Sequence, residues 1–368
     1  VDYIKPSSDF QPTLGFHFDE AFDVIAGEVK NVQENVGLCE VNGFNRFEIT
    51  GADRHAFLDR MFCGTVTKKA ARVGLGYLLN HHGMVKGEAT IANIPASERG
   101  PDRVWYGSAA AAEYHDMDWL RAHLDPALDV QVKSLTNDQT ILVLAGPKAR
   151  NVLSACSRGD WSRDAFPWLT VRECFIGFAP ATVLGVSFSG ELAYEIHVPN
   201  HALYAAYTAL RTAGDAQGLK IFGARAVDSM RLEKGFLHWK ADLLTEFDPF
   251  ETGLERFVKM EKPNFIGKAA LSKRVATGAR KKLASLHVDC THAPAHGGAS
   301  VKVDGRVIGT ITSGDWGHRL GMNLAYGFVT PEHAVIGTKM TVDVIGKPVL
   351  ATVIDAGPYD PTNGIMRG

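Results

Sequence analysis

Apolar and polar positions alternate through FNRFEIT, residues 44–50, and the spacing then widens to that of a helix in GADRHAFLDRMF, with Gly51 and Asp53 at the change of period. The pattern predicts strand, turn and helix. Residues 75–94, LGYLLNHHGMVKGEATIANI, repeat apolar segments around a glycine turn, and AAAAEYHDMDWLRAHL beyond them has the spacing of an amphipathic helix. QTILVLAG and PKARNVLSAC give another strand and helix, with Pro147 at the helix start, where its missing N–H costs little. TVLGVSFSG and AYEIHVP read as strands, and Asn200 is placed to cap a helix through HALYAAYTALRTAG. Residues 223–235, GARAVDSMRLEKG, read as a helix closed by glycine.

From Leu283 onward short alternating strands take over, with turns at Asp304-Gly305 and Gly346-Lys347. A small C-terminal β-barrel or sandwich is expected there. The earlier strands and helices mix without a βαβ rhythm, which indicates an α+β architecture. The expected units are residues 1–135, residues 136–275 and residues 283–368. The basic residues Lys273, Arg274, Arg280, Lys281 and Lys282 between the last two read as a solvated linker.

Composition narrows the class. A chain of 368 residues, 45% hydrophobic and 22% charged, with 37 glycines, is that of a turn-rich globular enzyme of two or three domains. No apolar run reaches the length of a membrane span. The net charge of -2 argues against a general nucleic-acid binder. Cys39, Cys63, Cys156, Cys174 and Cys290 form no C-x-x-C pair, so neither a zinc site nor a disulfide framework is signalled and a reducing compartment fits. The N-terminal VDYIKPSSDFQPTLGFHF has no targeting pattern, which makes the cytoplasm the expected location.

Several chemistries are set aside. GLGYLLNHHG lacks the third glycine of a dinucleotide fingerprint, no phosphate-binding G-x-x-x-x-G-K-[ST] loop occurs, and SFSGEL is not a nucleophile elbow. His81 and His82 are neighbours whose side chains diverge, and His292 and His296 lie in a Pro/Gly-rich loop, so no metal is assigned.

Three segments combine polar groups with backbone punctuation: residues 80–90, residues 187–199 and residues 223–253. Together with VGLCEVNGFNRFEITGADRHAFLDRMF, LAGPKARNVL, SGELAYEIHVP, GARAVDSMRLEKGFLHW, DPFETGLERFVKMEKPNFIGKAAL and GRVIGTITSG, they make the chain resemble the folate-binding aminomethyltransferase family almost end to end. That family includes the glycine-cleavage T-protein and the C-terminal halves of dimethylglycine and sarcosine dehydrogenases. The resemblance implies a three-domain cloverleaf around a folate channel, and tetrahydrofolate as cofactor.

Read from its strand alone, Glu195 is a glutamate facing solvent. The resemblance gives it the task of accepting the side-by-side N–H and amino donors of a pterin, which suits one ionised carboxylate. Glu191 in the same segment competes for that task. Phe188 matches a position where relatives often carry a tyrosine against the pterin. Tyr77 and Trp239 are candidate aromatic walls or ordinary core. Arg225 either serves the folate carboxylate tail or makes a structural ion pair. At the reaction centre the T-protein has an aspartate eight residues after the asparagine of its MLN motif; eight residues after Asn80 this chain has Glu88, followed by Thr90, where a dehydrogenase-type relative also has threonine. A carboxylate there can move a proton as the carbon changes hands.

RLEKGFLHWKADL and the Gly87-Glu88 pair depart from the T-protein pattern toward the dehydrogenase halves. The resemblance therefore implies a tetrahydrofolate-dependent demethylase or aminomethyltransferase, which takes a methyl or methylene unit from a small N-, S- or O-methylated substrate. A separate flavin-dependent dehydrogenase or oxidase subunit is the expected kind of partner. Two alternatives stay open: a divergent T-protein acting on a lipoyl-carried group, and a folate-binding accessory protein without catalysis. DPFETGLE lacks the cysteine motif of such accessory proteins.

Overall fold

In the computed structural model, which describes residues 15–41 and 43–368, the sequence patterns become the following elements. In chain order they are α1 (Phe22–Glu34), β1 (Val36–Glu40), β2 (Phe44–Thr50), α2 (Arg54–Met61), β3 (Val73–Leu79), β4 (Val85–Ile94), β5 (Arg103–Ala109), α3 (Glu113–Ala122), β6 (Gln131–Ser134), β7 (Gln139–Ala145), α4 (Ala149–Cys156), β8 (Val171–Ile176) and β9 (Ala179–Leu184). There follow β10 (Ala193–Pro199), α5 (Leu203–Asp215), β11 (Leu219–Ile221), α6 (Ala224–Lys234), α7 (Lys268–Thr277), β12 (Lys282–Val288), β13 (Ser300–Val303), β14 (Arg306–Gly317), β15 (Met322–Val329), β16 (Lys339–Val344), β17 (Lys347–Ile354) and α8 (Gly364–Arg367). Most of the N-terminal stretch read for targeting lies outside the described residues.

The strands form two open sheets and a barrel. The first sheet has the order β3-β4-β5-β2-β6, the second β11-β1-β7-β10-β9-β8, and β12-β15-β14-β13-β16-β17 close on themselves. β1 precedes the first sheet in the chain but pairs in the second, with β7 and β11. The chain thus passes from one sheet to the other and back.

Each sheet buries one face under helices. Phe47, Ile49 and Tyr106 pack with Phe57, Leu58, Met61 and Leu120 of α2 and α3. Leu142, Leu144, Ile196 and Val198 pack with Val152, Leu153 and Leu210 of α4 and α5. Because side chains alternate along a strand, the residues between these point to the opposite face. There Val73, Ala92 and Trp105 of the first sheet meet Val171 and Leu184 of the second, and α1 and α6 cover Cys39, Ala145 and Ala193.

Local chemistry explains the ends of the elements. α6 stops at Gly235, whose φ of 82° is the left-handed cap glycine adopts without strain. The β13–β14 turn is Asp304-Gly305, both at positive φ as a two-residue hairpin requires. The β16–β17 turn is Ile345-Gly346, one residue before the expected pair, because Val344 pairs with Lys347. A β-branched residue at a φ of 51° was not to be expected from turn preferences.

The basic stretch is also more than a solvated linker. Arg274 pairs with Asp248 at 3.1 Å and Arg280 with the buried Glu251 at 3.1 Å, which fastens the approach to the barrel onto the preceding loop. No helix among the described residues is long and apolar enough to cross a membrane.

Candidate functional site

β4 reads V-K-G-E-A-T-I, and its buried positions are Val85, Gly87, Ala89 and Ile91, while Lys86, Glu88 and Thr90 are half-buried. Glu88 and Thr90 face away from α2 and α3, whereas Lys86 reaches α3, its Nζ 2.7 Å from His115 Nε2. Register then assembles the surface. Leu75, Thr90, Gly107 and Arg46 lie in one row across β3, β4, β5 and β2. Tyr77 and Glu88 are directly opposite each other in the neighbouring row.

Glu88 keeps accessible surface although it lies deep in the molecule. Burial pushes its carboxyl up to about 7, against the opposing pull of the hydrogen bond from Tyr77. The phenol of Tyr77 is driven well above its ordinary value by burial and by the carboxylate beside it, so it stays protonated and acts as a donor.

On the facing sheet, Glu195 projects from β10 between β7 and β9. Ile196 and Val198 on the other side of the strand are core, so Glu195 and His197 share the face turned to the first sheet. Glu195 Oε2 lies 3.2 Å from His197 Nε2. The His197 ring meets the edge of Trp105 at 4.6 Å, tying the two sheets together at this point. Trp105 in turn lies over Gly107, where a Cβ would stand 2.2 Å from its ring.

Arg46 is 2% exposed, yet only its Nη2 has a partner, the carbonyl of Thr136 at 2.6 Å. Among the described residues Arg46 Nε and Nη1, His197 Nδ1 and Trp105 Nε1 are buried nitrogens without hydrogen-bond partners. Burial lowers the Arg46 guanidinium from its ordinary value, and the carboxylates of Glu113 and Glu195 oppose that fall. Four unmatched nitrogens beside one carboxylate are uncommon in a folded interior and mark a place where a polar ligand or water completes the bonding.

The other candidates are placed as follows. Phe188, in the loop before β10, stacks on Phe236 at 5.9 Å with the rings 11° apart. Trp239 borders Gly87, its Nε1 3.9 Å from where a Cβ would sit, which is the side of β4 opposite Glu88. Arg225 pairs with Asp19 at 2.8 Å. Glu191 is buried, and its Oε1 accepts from Arg319 and Tyr359, each at 2.7 Å. Tyr77 and Glu88 thus stand opposite each other on the first sheet with Thr90 in the next row, Glu195 stands on the second sheet beside His197, and Trp239 packs against the cluster that holds Tyr77.

Sequence reading missed Arg46, Trp105 and His197. One signal was present: in FNRFEIT the alternation that buries Phe47 and Ile49 puts Arg46 on the other face. His197 stands two residues from Glu195, on the same side of a strand.

Comparison with known proteins agrees with the architecture. Residues 3–262 match the GCVT N-terminal domain, and residues 281–360 match the glycine cleavage T-protein C-terminal barrel domain. Mitochondrial dimethylglycine dehydrogenase of Mus musculus is 30% identical over 354 residues, which is 96% of this chain and 40% of that protein. The aminomethyltransferase of Caldanaerobacter subterraneus subsp. tengcongensis is 27% identical, over 97% of this chain and 94% of that one. The crystal structure of the glycine cleavage system aminomethyltransferase T from Bartonella henselae superposes with a TM-score of 0.81 at 22% identity, covering 92% of this chain and 90% of that one, a likeness of fold.

Proposed function

Since the chain belongs to the glycine-cleavage T-protein family, we propose that it transfers a one-carbon unit from a small methylated donor to tetrahydrofolate, in the recess between Glu88 and Glu195. The observation that carries this reading is a pair of carboxyls in unlike surroundings, one on each sheet. One is held near 7 by burial; the other sits beside His197 and unmatched nitrogens. Environments that separate two acids in this way suit them to separate jobs.

Tetrahydrofolate fits the donor set. Glu195 uses one of its acceptor positions on His197 and retains others for the adjacent N–H donors of a pterin. Phe188, stacked on Phe236, offers an aromatic face. When bound, tetrahydrofolate supplies the nucleophilic nitrogen that accepts the carbon. Glu88 holds a proton on its carboxyl below neutrality and has room for one above it, and Thr90 beside it on β4 offers a hydroxyl to orient the donor. Trp105 and His197 hold the sheets together at this point.

The reading follows the dehydrogenase relatives in taking a methylated amine as donor, and extends it to sulfonium and ether donors. Dimethylglycine dehydrogenase has further chain beyond the 40% matched here, and a flavin-dependent dehydrogenase or oxidase is the partner we propose for an oxidised donor. A second reading, aminomethyl transfer from a lipoyl carrier, is favoured by the match over 94% of a bacterial aminomethyltransferase. Methylated amines, sulfonium compounds and aryl ethers incubated with tetrahydrofolate, with methyl- and methylene-folate followed separately, test the first. A glycine and lipoyl-carrier exchange assay tests the second. No folate product from any donor, with folate still bound, would leave only a binding role.

A further inference from the structure

We infer that Tyr77 is a positioning residue for the carboxyl of Glu88, a pairing that the register of β3 on β4 builds into the first sheet. The inference rests on the reading of Glu88 as the acid of the reaction. Its geometry is a direct cross-strand pair, Tyr77 opposite Glu88, whose side chains stand on the same face.

The phenol has little freedom. Tyr77 is buried, with its ring 5.0 Å from that of Phe257. Its carbonyl accepts the Cys63 N–H at 3.0 Å, which fixes the backbone beside the pair. Neighbouring Gly76 leaves room for Phe62, whose ring would stand 2.6 Å from any Cβ there. The hydroxyl is thereby held on the same face as the carboxyl it stands opposite, where it counters the effect of burial on that carboxyl.

The groups around Glu88 are few. From β3 comes Tyr77 and from β4 itself Thr90; the next row brings Gly107 and Arg46, and the segment packed on Tyr77 brings Arg256. Tyr77 alone acts on the Glu88 carboxyl against the effect of burial, whereas Arg256 and Cys63 act on the phenol. One hydroxyl therefore decides how far burial is allowed to raise the acid. Without it the carboxyl would stay protonated well above neutrality and lose its capacity to take up a proton there.

Tyr77→Phe keeps the ring and removes the donor. The test is a pH titration of the protonated Glu88 carboxyl by infrared difference spectroscopy, with Glu88→Gln as the blank. The midpoint should rise by about one unit or more in Tyr77→Phe, the equivalent of a hydrogen bond to a charged acceptor. Fluorotyrosine incorporated at position 77, a stronger donor, should lower it, which keeps the test decisive if Tyr77→Phe folds poorly. Midpoints that stay put in both would overturn the inference. Adding tetrahydrofolate to the unmodified protein separates the two claims: an unmoved Glu88 band with tetrahydrofolate present, alongside shifted midpoints in the variants, would keep the pairing and remove the folate reading.

Discussion

Arg319, on the turn between β14 and β15, reaches out of the barrel to place Nη1 2.7 Å from Glu191 Oε1, in the loop that leads into β10. The same guanidinium pairs with Glu233 on α6 and donates to the Met230 carbonyl at 2.6 Å, so three parts of the chain meet on one cation. All three charged side chains are almost fully buried. An ion in that position is costly to expose and costlier to leave unmatched.

Arg319→Met should therefore lower the stability of the chain by about 3–5 kcal/mol, because two carboxylates would lose their counter-charge in the interior. Urea unfolding midpoints would show it. A loss below about 1 kcal/mol would mean that water reaches the pair.

Glu195→Gln keeps the shape of the side chain but turns one acceptor into a donor that faces the donors of a pterin. Affinity for tetrahydrofolate should fall about tenfold or more, the worth of a charge-assisted hydrogen bond. Calorimetric titration measures it, and unchanged affinity would remove Glu195 from the site.

Glu88 makes stability depend on pH in a defined direction. Its carboxyl is raised from 4.5 to about 7 in the folded chain, so the folded state favours the protonated form. The stabilisation linked to that proton is complete below about 4.5, fades as pH rises, and is gone above about 7. Glu88→Gln should thus match the unmodified protein in thermal stability at low pH and exceed it at pH above neutrality, by about 3 kcal/mol. Turnover should be lost while tetrahydrofolate still binds. A variant that is less stable than the parent at every pH would contradict the assignment.

Gly107→Ala tests the floor of the recess. The added carbon would stand 2.2 Å from the Trp105 ring, so the indole must swing away and lose its contact with His197. A loss of about 1–3 kcal/mol in stability is expected from such overpacking, together with weaker folate binding. Thermal melts and the same calorimetric titration report the two effects.

Where the sequence spoke clearly, the relevant chemistry was local. Gly235 ends α6, and Asp304-Gly305 turns β13 into β14, because those conformations belong to the residues themselves. Ile345 escaped notice because strand pairing, a tertiary effect, forces a β-branched residue into a turn position it disfavours. Arg46 was legible as a buried arginine only after β2 had been paired with β5 and β6. Glu191 and Glu195 look alike in SGELAYEI; what separates them is Arg319, 128 residues away from Glu191. The companion of Arg225, Asp19, lies farther off still, 206 residues earlier.

The row of Leu75, Thr90, Gly107 and Arg46 has a consequence in evolutionary terms. Each member belongs to a different strand, and the ladder that aligns them is made by backbone groups, which are indifferent to side-chain identity. Mutation can thus revise Leu75 and Thr90 without unmaking the ladder, whereas Gly107 is held by the Trp105 ring packed over it. A lineage that keeps the ladder inherits the alignment of the row whichever side chains it carries there.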